Sequence, residues 1–239
     1  MSFGPEVQLL LAAALFFIYD SSQLLYSNEA ILSPAGKGWS VQTCDNNLIL
    51  RGRKLFITNP LTLHRPFYRL RWDDEKLELG QCHTPEQRIS LNSWFSFLAY
   101  CSLASIFAVL PALLYFHRTD VALLSCTVAI YLISLLAGVT ILMKHQSLGL
   151  TAKQARSLAA ELIFCPPFTA NVVRRLGLAQ TLGCNLIAAS LQLLTPTQWG
   201  RLKLDLIEQI DLEISDAEEL SPRESNLMTT KNLLLKTSS

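Results

Sequence analysis

Charge is what this sequence has least of. Asp, Glu, Lys and Arg make up 16% of its 239 residues, against a 50% apolar share and a mean hydropathy of +0.30. A soluble domain carries about 25% charged residues, so the composition excludes a disordered chain, a fibrous repeat and an ordinary soluble enzyme. The net charge of +1 lacks the basic excess that marks nucleic-acid binders, and no nucleic-acid partner is expected. Catalytic signatures are missing as well. There is no Gly-x-Ser-x-Gly elbow, no P-loop and no Gly-x-Gly-x-x-Gly turn, which removes the commonest hydrolase, NTPase and dinucleotide-binding classes. No internal repeat is present. The six cysteines are scattered without a Cys-x-x-Cys pair, unlike a secreted disulfide framework. Cys44, Cys82, Cys165 and Cys184 are read as small apolar residues in a reducing compartment, with Cys101 and Cys126 inside apolar runs. Cys44, His64, Cys82 and His83 match no zinc-ligand spacing, so neither metal nor cofactor is expected.

What is present is long apolar sequence. No fixed charge lies between Arg88 and Arg118, and Ser93 to Phe116 is dense in Phe, Leu, Ala and Tyr. A second gap, Val121 to Met143, holds 23 uncharged residues. At about 1.5 Å per residue such a helix reaches roughly 35 Å, enough for a hydrocarbon core of about 30 Å. A third apolar stretch, 7–26, carries Asp20 near its end. It lacks the basic start and small-residue cleavage site of a signal peptide and is read as an uncleaved span. The expectation is therefore an α+β integral membrane protein with three transmembrane helices, 7–26, 93–116 and 121–143.

Orientation follows from Lys and Arg counts. The 27–92 loop carries nine and the chain after Met143 ten, whereas the opposite side carries only Arg118. This bias predicts an outward N-terminus and a cytoplasmic C-terminus, at the inner membrane if the source is bacterial. Small residues at helical spacing, Ala104, Ala108 and Ala112 in one span and Ser125/Ala129 and Ser134/Gly138 in the other, predict close packing between the two long helices. Pro111 predicts a kink.

The polar segments divide by pattern. Within 27–92, short apolar runs alternate with turn residues: Ala30-Ile31-Leu32, the Pro34 to Gly38 turn, Trp39-Ser40-Val41, the Asp45-Asn46-Asn47 turn, Leu48-Ile49-Leu50, and Lys54 to Thr58 ended by Asn59-Pro60. Phe67 to Trp72 alternates apolar and basic side chains as a half-exposed strand does. These predict a small cytoplasmic antiparallel β-meander, too small to hold its own core, packed on C-terminal helices or the membrane surface. Asp73 to Gln87 reads as a turn-rich connector. The 144–214 region reads as cytoplasmic or interfacial helices. Thr151 and Gln154 form a capping box ahead of a helix that Cys165-Pro166-Pro167 stops. Phe168 to Leu194 is a second stretch, with Gly177 and Gly183 as breakers. Its Arg174-Arg175 pair, at about 2.5–3.5 kcal/mol each near a helix centre, argues for an interfacial position over a fourth span. Pro196 opens an amphipathic helix with Trp199, Leu202, Leu206, Ile210 and Ile214 on one side. The tail 215–239 reads as disordered.

Candidate functional residues follow from chemistry. Asp20, ionisable within a span, marks an ion path or partner contact. Arg51, Arg53, Lys54, Arg65, Arg69 and Arg71, with His64, Phe67, Tyr68 and Trp72 among them, form a basic-aromatic group suited to anionic headgroups at about 1 kcal/mol per charge. The corner Cys165-Pro166-Pro167, followed by Asn171, Arg174 and Arg175, is a helix corner or binding corner. With no catalytic motif, the chain is expected to act as a non-enzymatic scaffold, assembly factor or regulatory subunit through its cytoplasmic face. Its expected partners are the lipid bilayer and proteins in the membrane or cytoplasm. The alternative is a membrane-bound enzyme or lipid-handling protein at the cytoplasmic interface, using Asp20, His64, Arg65 and Arg174.

Overall fold

The computed structural model describes residues 5–36, 38–43, 49–50, 53–59, 62–72, 89–116, 119–180, 182–215 and 222–236. The Asp45-Asn46-Asn47 turn, the Asp73 to Gln87 connector, Arg51, Cys44, Cys82 and His83 lie outside these residues. The protein is α+β and mostly helical, and two of its helical runs, Ser93–Phe116 and Asp120–Lys144, are long and apolar enough to cross a membrane. The chain divides into two units, one built from 1–23, 56–68 and 85–181, the other from 24–55, 69–84 and 182–239.

The first unit opens with α1 (Pro5–Ser21). The apolar stretch expected to span 7–26 stops being helical at Ser21, where strand β1 (Ser22–Leu25) begins. Ser21 Oγ donates to the Phe17 carbonyl at 2.8 Å and Ser22 Oγ to the Tyr19 carbonyl at 2.8 Å. Hydroxyls that bond to the backbone compete with helix continuation. Seventeen residues reach about 25 Å, less than a hydrocarbon core of about 30 Å.

Helix α2 (Ile89–Ala104) continues through a π-helical turn, Ser105–Val109, into α3 (Leu110–Phe116). Pro111 is the cause. It has no amide and its ring clashes with the carbonyl four residues back, so the ladder shifts register and Leu110 N–H donates to the Ser105 carbonyl. The expected kink is thus a π-turn ahead of the proline. Helix α4 (Asp120–Lys144) returns alongside, but the seam is not made of small residues. Ile106 packs with Cys126 and Ile130, joined by Leu110, Leu113 and Ala13, while Ala104, Ala108, Ala112, Ser125 and Ala129 are exposed.

The Ser134/Gly138 face does admit a helix, and it is α5 (Ala152–Phe164). A Cβ on Gly138 would stand 3.4 Å from the Ala159 carbonyl and from Ile163. The capping box forms as expected, with Gln154 N–H donating to Thr151 Oγ1 and the Gln154 side chain accepting from the Thr151 amide. At Cys165 the helix gives way to a 3-10 turn, Pro166–Asn171, and then to α6 (Val172–Ala179). The core of this unit joins Phe95, Leu98 and Ala99 of α2, Ala137 and Ile141 of α4, and Leu162, Val173 and Leu176.

In the second unit β2 (Glu29–Ala35) pairs antiparallel with β3 (Gly38–Gln42), Leu32 opposite Val41. Strand β6 (Tyr68–Arg71) joins the other edge of β2 with alternating buried and exposed residues. β4 (Ile49–Leu50) and β5 (Arg53–Ile57) form a second hairpin, completed by β1 in the order β1-β5-β4. The 168–194 stretch is not one helix. It breaks at Gln180–Asn185, where Gly183 takes a positive φ of 69° that a side chain would strain, before α7 (Leu186–Leu193). Helix α7 packs on β3, the helical support expected for the meander. Helix α8 (Pro196–Ser215) buries Trp199, Leu202, Leu206 and Ile210. The tail expected to be disordered contains α9 (Pro222–Lys236). Leu227 and Leu234, two turns apart, are buried there, and Lys231 pairs with Asp211 of α8.

Gly177 of α6 lies against the backbone of Phe67. A Cβ would stand 2.6 Å from the Phe67 carbonyl oxygen and 2.8 Å from its nitrogen, atoms that cannot swing aside. Gly177→Ala is expected to cost about 1–3 kcal/mol of overpacking, read as a lower Tm in detergent. An unchanged Tm would refute the close approach.

Candidate functional site

The end of α1 is where the sequence candidates converge. Asp20 has an 8% exposed side chain and meets Arg175 of α6, 18% exposed. Arg175 Nε donates to Oδ1 at 3.1 Å and Oδ2 at 3.3 Å, and a terminal nitrogen also bonds Oδ1. Asn171 Nδ2 donates to Asp20 Oδ2 at 2.9 Å and to Ser21 Oγ at 3.1 Å. The other guanidinium nitrogen of Arg175 pairs with Glu161 of α5, and Phe168 covers its face with 3.9 Å from guanidinium carbon to ring centre.

Arg174, 2% exposed, extends the cluster. It donates to Asn171 Oδ1 at 3.2 Å, to the Asn59 carbonyl and to Thr62 Oγ1 at 3.4 Å, and lies over the Phe67 ring. Its Nε–H meets no acceptor among the described residues. Burial lowers the Arg174 pKa to about 10, with the charges of Asp20 and Tyr100 opposing the shift. It stays protonated at neutral pH. Because its folded value lies below its unfolded one, the cost of burying the cation is present at neutral pH and is relieved only as pH rises through about 10 and above.

Two carboxylates and two guanidinium groups make the cluster neutral. Both Asp20 oxygens are taken by donors from Arg175 and Asn171, which leaves its carboxylate engaged in internal contacts. Cys165 stands by the same charges. Burial pushes its thiol up, with Arg175 pulling the other way, the opposite of an activated nucleophile. Pro166 and Pro167 form the 3-10 corner that carries Asn171 to Asp20. The sequence marked Asp20, Asn171, Arg174 and Arg175 separately. Glu161 was missed, and its signal was its position as the acidic member of α5, four residues before the Cys-Pro-Pro break. His64 is exposed and pairs elsewhere, its Nδ1 2.9 Å from the Tyr100 hydroxyl. Arg65 is half-buried.

The basic group of the second unit is partly consumed internally. Glu29, with a side chain 1% exposed, receives Arg71 at 3.0 Å and Arg69 at 3.7 Å, and its second oxygen accepts the Tyr26 amide at 3.1 Å. Arg53 bonds the Tyr26 hydroxyl and stacks on its ring, and Lys54 is half-buried on β5. The buried acid at Glu29 was not foreseen, though a carboxylate opening a strand beside two alternating arginines was the available clue. Cys184 is disulfide-bonded, which corrects its reading as a free apolar thiol. Its partner lies outside the described residues. Comparison with known protein families, characterised proteins and solved structures finds no match.

Removing one partner of a buried ion pair strands the other charge, at about 3–5 kcal/mol. Asp20→Ala and Arg175→Ala are each expected to destabilise on that scale, and the double variant to lose at least about 1 kcal/mol less than their sum. Thermal unfolding of all three in detergent checks this; strict additivity would mean the pair does not couple.

Proposed function

We propose that the chain is a membrane-embedded, non-enzymatic scaffold, assembly factor or regulatory subunit. The observation that supports this most is the mutual pairing of Asp20, Glu161, Arg175 and Asn171. Arg174 joins them through Asn171 and spends its other terminal nitrogen on Asn59 and Thr62. A group that must accept or deliver a proton needs a free position next to substrate. The open apolar groove of about 420 Å³ beside the π-turn, lined by Ala108, Val109, Ala112, Leu113 and Phe116, offers no such group. The alternative, a lipid-handling protein or enzyme at the interface, draws its support from the unpaired Arg174 Nε–H.

Purification in mild detergent separates the two readings. Stoichiometric protein partners are the expected result; an isolated chain carrying tightly bound lipid or cofactor would favour the alternative. Asp20→Asn, compared at an equal protein level, is expected to leave partner recovery unchanged, because Asp20 is spent on internal partners.

The multi-pass arrangement proposed places the N-terminus outside and the C-terminus in the cytoplasm, on the strength of nineteen Lys and Arg against one. The Cys184 disulfide favours the inverse, because disulfides persist in oxidising compartments. Intact-mass measurement after alkylation in whole cells decides between them. A Cys184 that alkylates only after reductant, as its disulfide requires, would reverse the proposed orientation, whereas one that alkylates directly would uphold the orientation and overturn the disulfide.

A further inference from the structure

The membrane-facing part of the first unit is shorter than its apolar helices. Two residues of the 3-10 corner fix a common level: Thr169 donates to Ser134 Oγ of α4 at 2.9 Å, and Asn171 to Asp20 of α1 at 2.9 Å. Ser134 therefore lies level with the neutral charge cluster, although it is ten residues from the end of α4. Exposed tyrosines gather near this level. Tyr19 precedes Asp20, Tyr131 is one turn from Ser134, and Tyr100 is close enough to Arg174 to act on its charge. At the opposite end Tyr115 and Phe116, 77% and 73% exposed, flank the start of α4 at Asp120. Aromatic side chains at both ends of an apolar stretch are the mark of two membrane–water interfaces.

Between these levels the described residues of this unit belong to α1, α2 with its π-turn and α3, and α4, and their outward side chains are mostly apolar, among them Leu11, Leu15, Phe16, Val121, Leu124 and Val128, with Gln8, Ser125 and Thr127 the exposed polar exceptions. Beyond Ser134 the surroundings change on one side of α4, although Leu135, Leu136, Val139, Leu142 and Met143 remain exposed there. Helix α5 runs back along α4 with Lys153, Arg156 and Glu161 exposed. Residues 58–59 and 62–67, which are not helical, pack there too, through Thr58 to the Ser21 carbonyl, Asn59 to Arg174 and Phe67 to Gly177. Asn59 and His64 are exposed. Irregular backbone with polar side chains does not face lipid.

Resting on the membrane reading above, we infer that hydrocarbon covers only the band from Asp120 to the Ser134–Asp20 level, and that this surface fits a thin or locally thinned bilayer. Fourteen residues separate Asp120 from Ser134 and fifteen separate Pro5 from Asp20, both about 21–23 Å along a helix axis. An average hydrocarbon core is about 30 Å, and a short apolar belt is met by bilayer thinning. The last ten residues of α4 then stand in the headgroup region and water, with α5 against one face.

Nitroxide labels on Leu124→Cys, Val128→Cys, Leu132→Cys and Val139→Cys test this in dimyristoyl phosphatidylcholine vesicles, with the signal of the unsubstituted chain subtracted. These positions are 66, 48, 58 and 41% exposed, so the labels do not disturb packing. Collision with oxygen and with a nickel chelate reports depth. The thin band predicts the greatest depth at Val128, shallower and similar depths at Leu124 and Leu132, and aqueous exposure at Val139. A full crossing by α4 would put the maximum at Leu132 with Leu124 and Val139 equally deep, and would overturn the proposal. A maximum at Leu124 would also overturn it, in favour of entry into a single leaflet. Aqueous exposure at all four would instead sink the membrane reading on which it rests.

Discussion

An anion at the end of an apolar helix must find a cation or carry the full cost of leaving water, and Asp20 finds Arg175. The rest of the first unit is arranged around that pairing. Arg175 has to arrive from a helix over 150 positions away, so α5 runs back along α4, breaks at Cys165-Pro166-Pro167, and presents Asn171, Arg174 and Arg175 on the following turn and helix. Glu161 pairs with the other terminal nitrogen of the same Arg175. A buried ion pair contributes little net stability, because desolvation offsets attraction, but breaking it is expensive. The cluster is therefore better understood as a specifier. It fixes which end of α1 meets which turn, where apolar packing alone would allow sliding.

Much of this was legible in the sequence, for identifiable reasons. Charge gaps mark α2, α3 and α4, since a fixed charge within hydrocarbon costs several kcal/mol and its absence over more than twenty residues is informative. The Thr151/Gln154 cap, the double proline and Pro196 are local signals that act through backbone amides, and each appears where the sequence places it. The β2–β3 hairpin and the alternation of β6 are short-range patterns of the same kind. What was not legible is long-range. Nothing near Asp20 names Arg175, and nothing near Glu29 names Arg69 and Arg71. The end of α1 was misplaced because Leu24, Leu25 and Tyr26 are as apolar as the helix before them; the switch to a strand is made by pairing with β5. α9 was overlooked because its composition is polar. Its two buried leucines, Leu227 and Leu234, seven residues apart, carry the helical period that composition averages away.

The side of the membrane is the question on which two physical signals oppose each other. Lys and Arg asymmetry acts during insertion, and long loops translocate with less regard to charge than short ones. The 27–92 segment and the region after Met143 are both long. The disulfide at Cys184 acts later, through the redox state of the compartment reached. The charge signal is the sum of many residues and the thiol signal that of one bond, so the bond is the sharper probe and the asymmetry the broader prior.

Helix α4 shows that hydropathy alone does not tell a lipid-facing stretch from a core-facing one. Apolar side chains are required against lipid and equally against a protein core, so Leu124 and Ile141 contribute alike to a sliding window. One is exposed and the other fully buried. The difference is made by Ser134 and Gly138, whose small size lets α5 and the 3-10 corner approach the second half of the helix. In a lipid-only environment those residues would merely lower the helix's hydrophobicity. Here they divide a continuous apolar helix into a stretch packed on neighbouring helices through Cys126 and Ile130, and a stretch that helps build the hydrophobic core with α5 and the 3-10 corner. The division falls where the charge cluster sits. The paired charges there sit on α1, α5 and α6, so α4 itself continues through the boundary without a charged residue until Lys144.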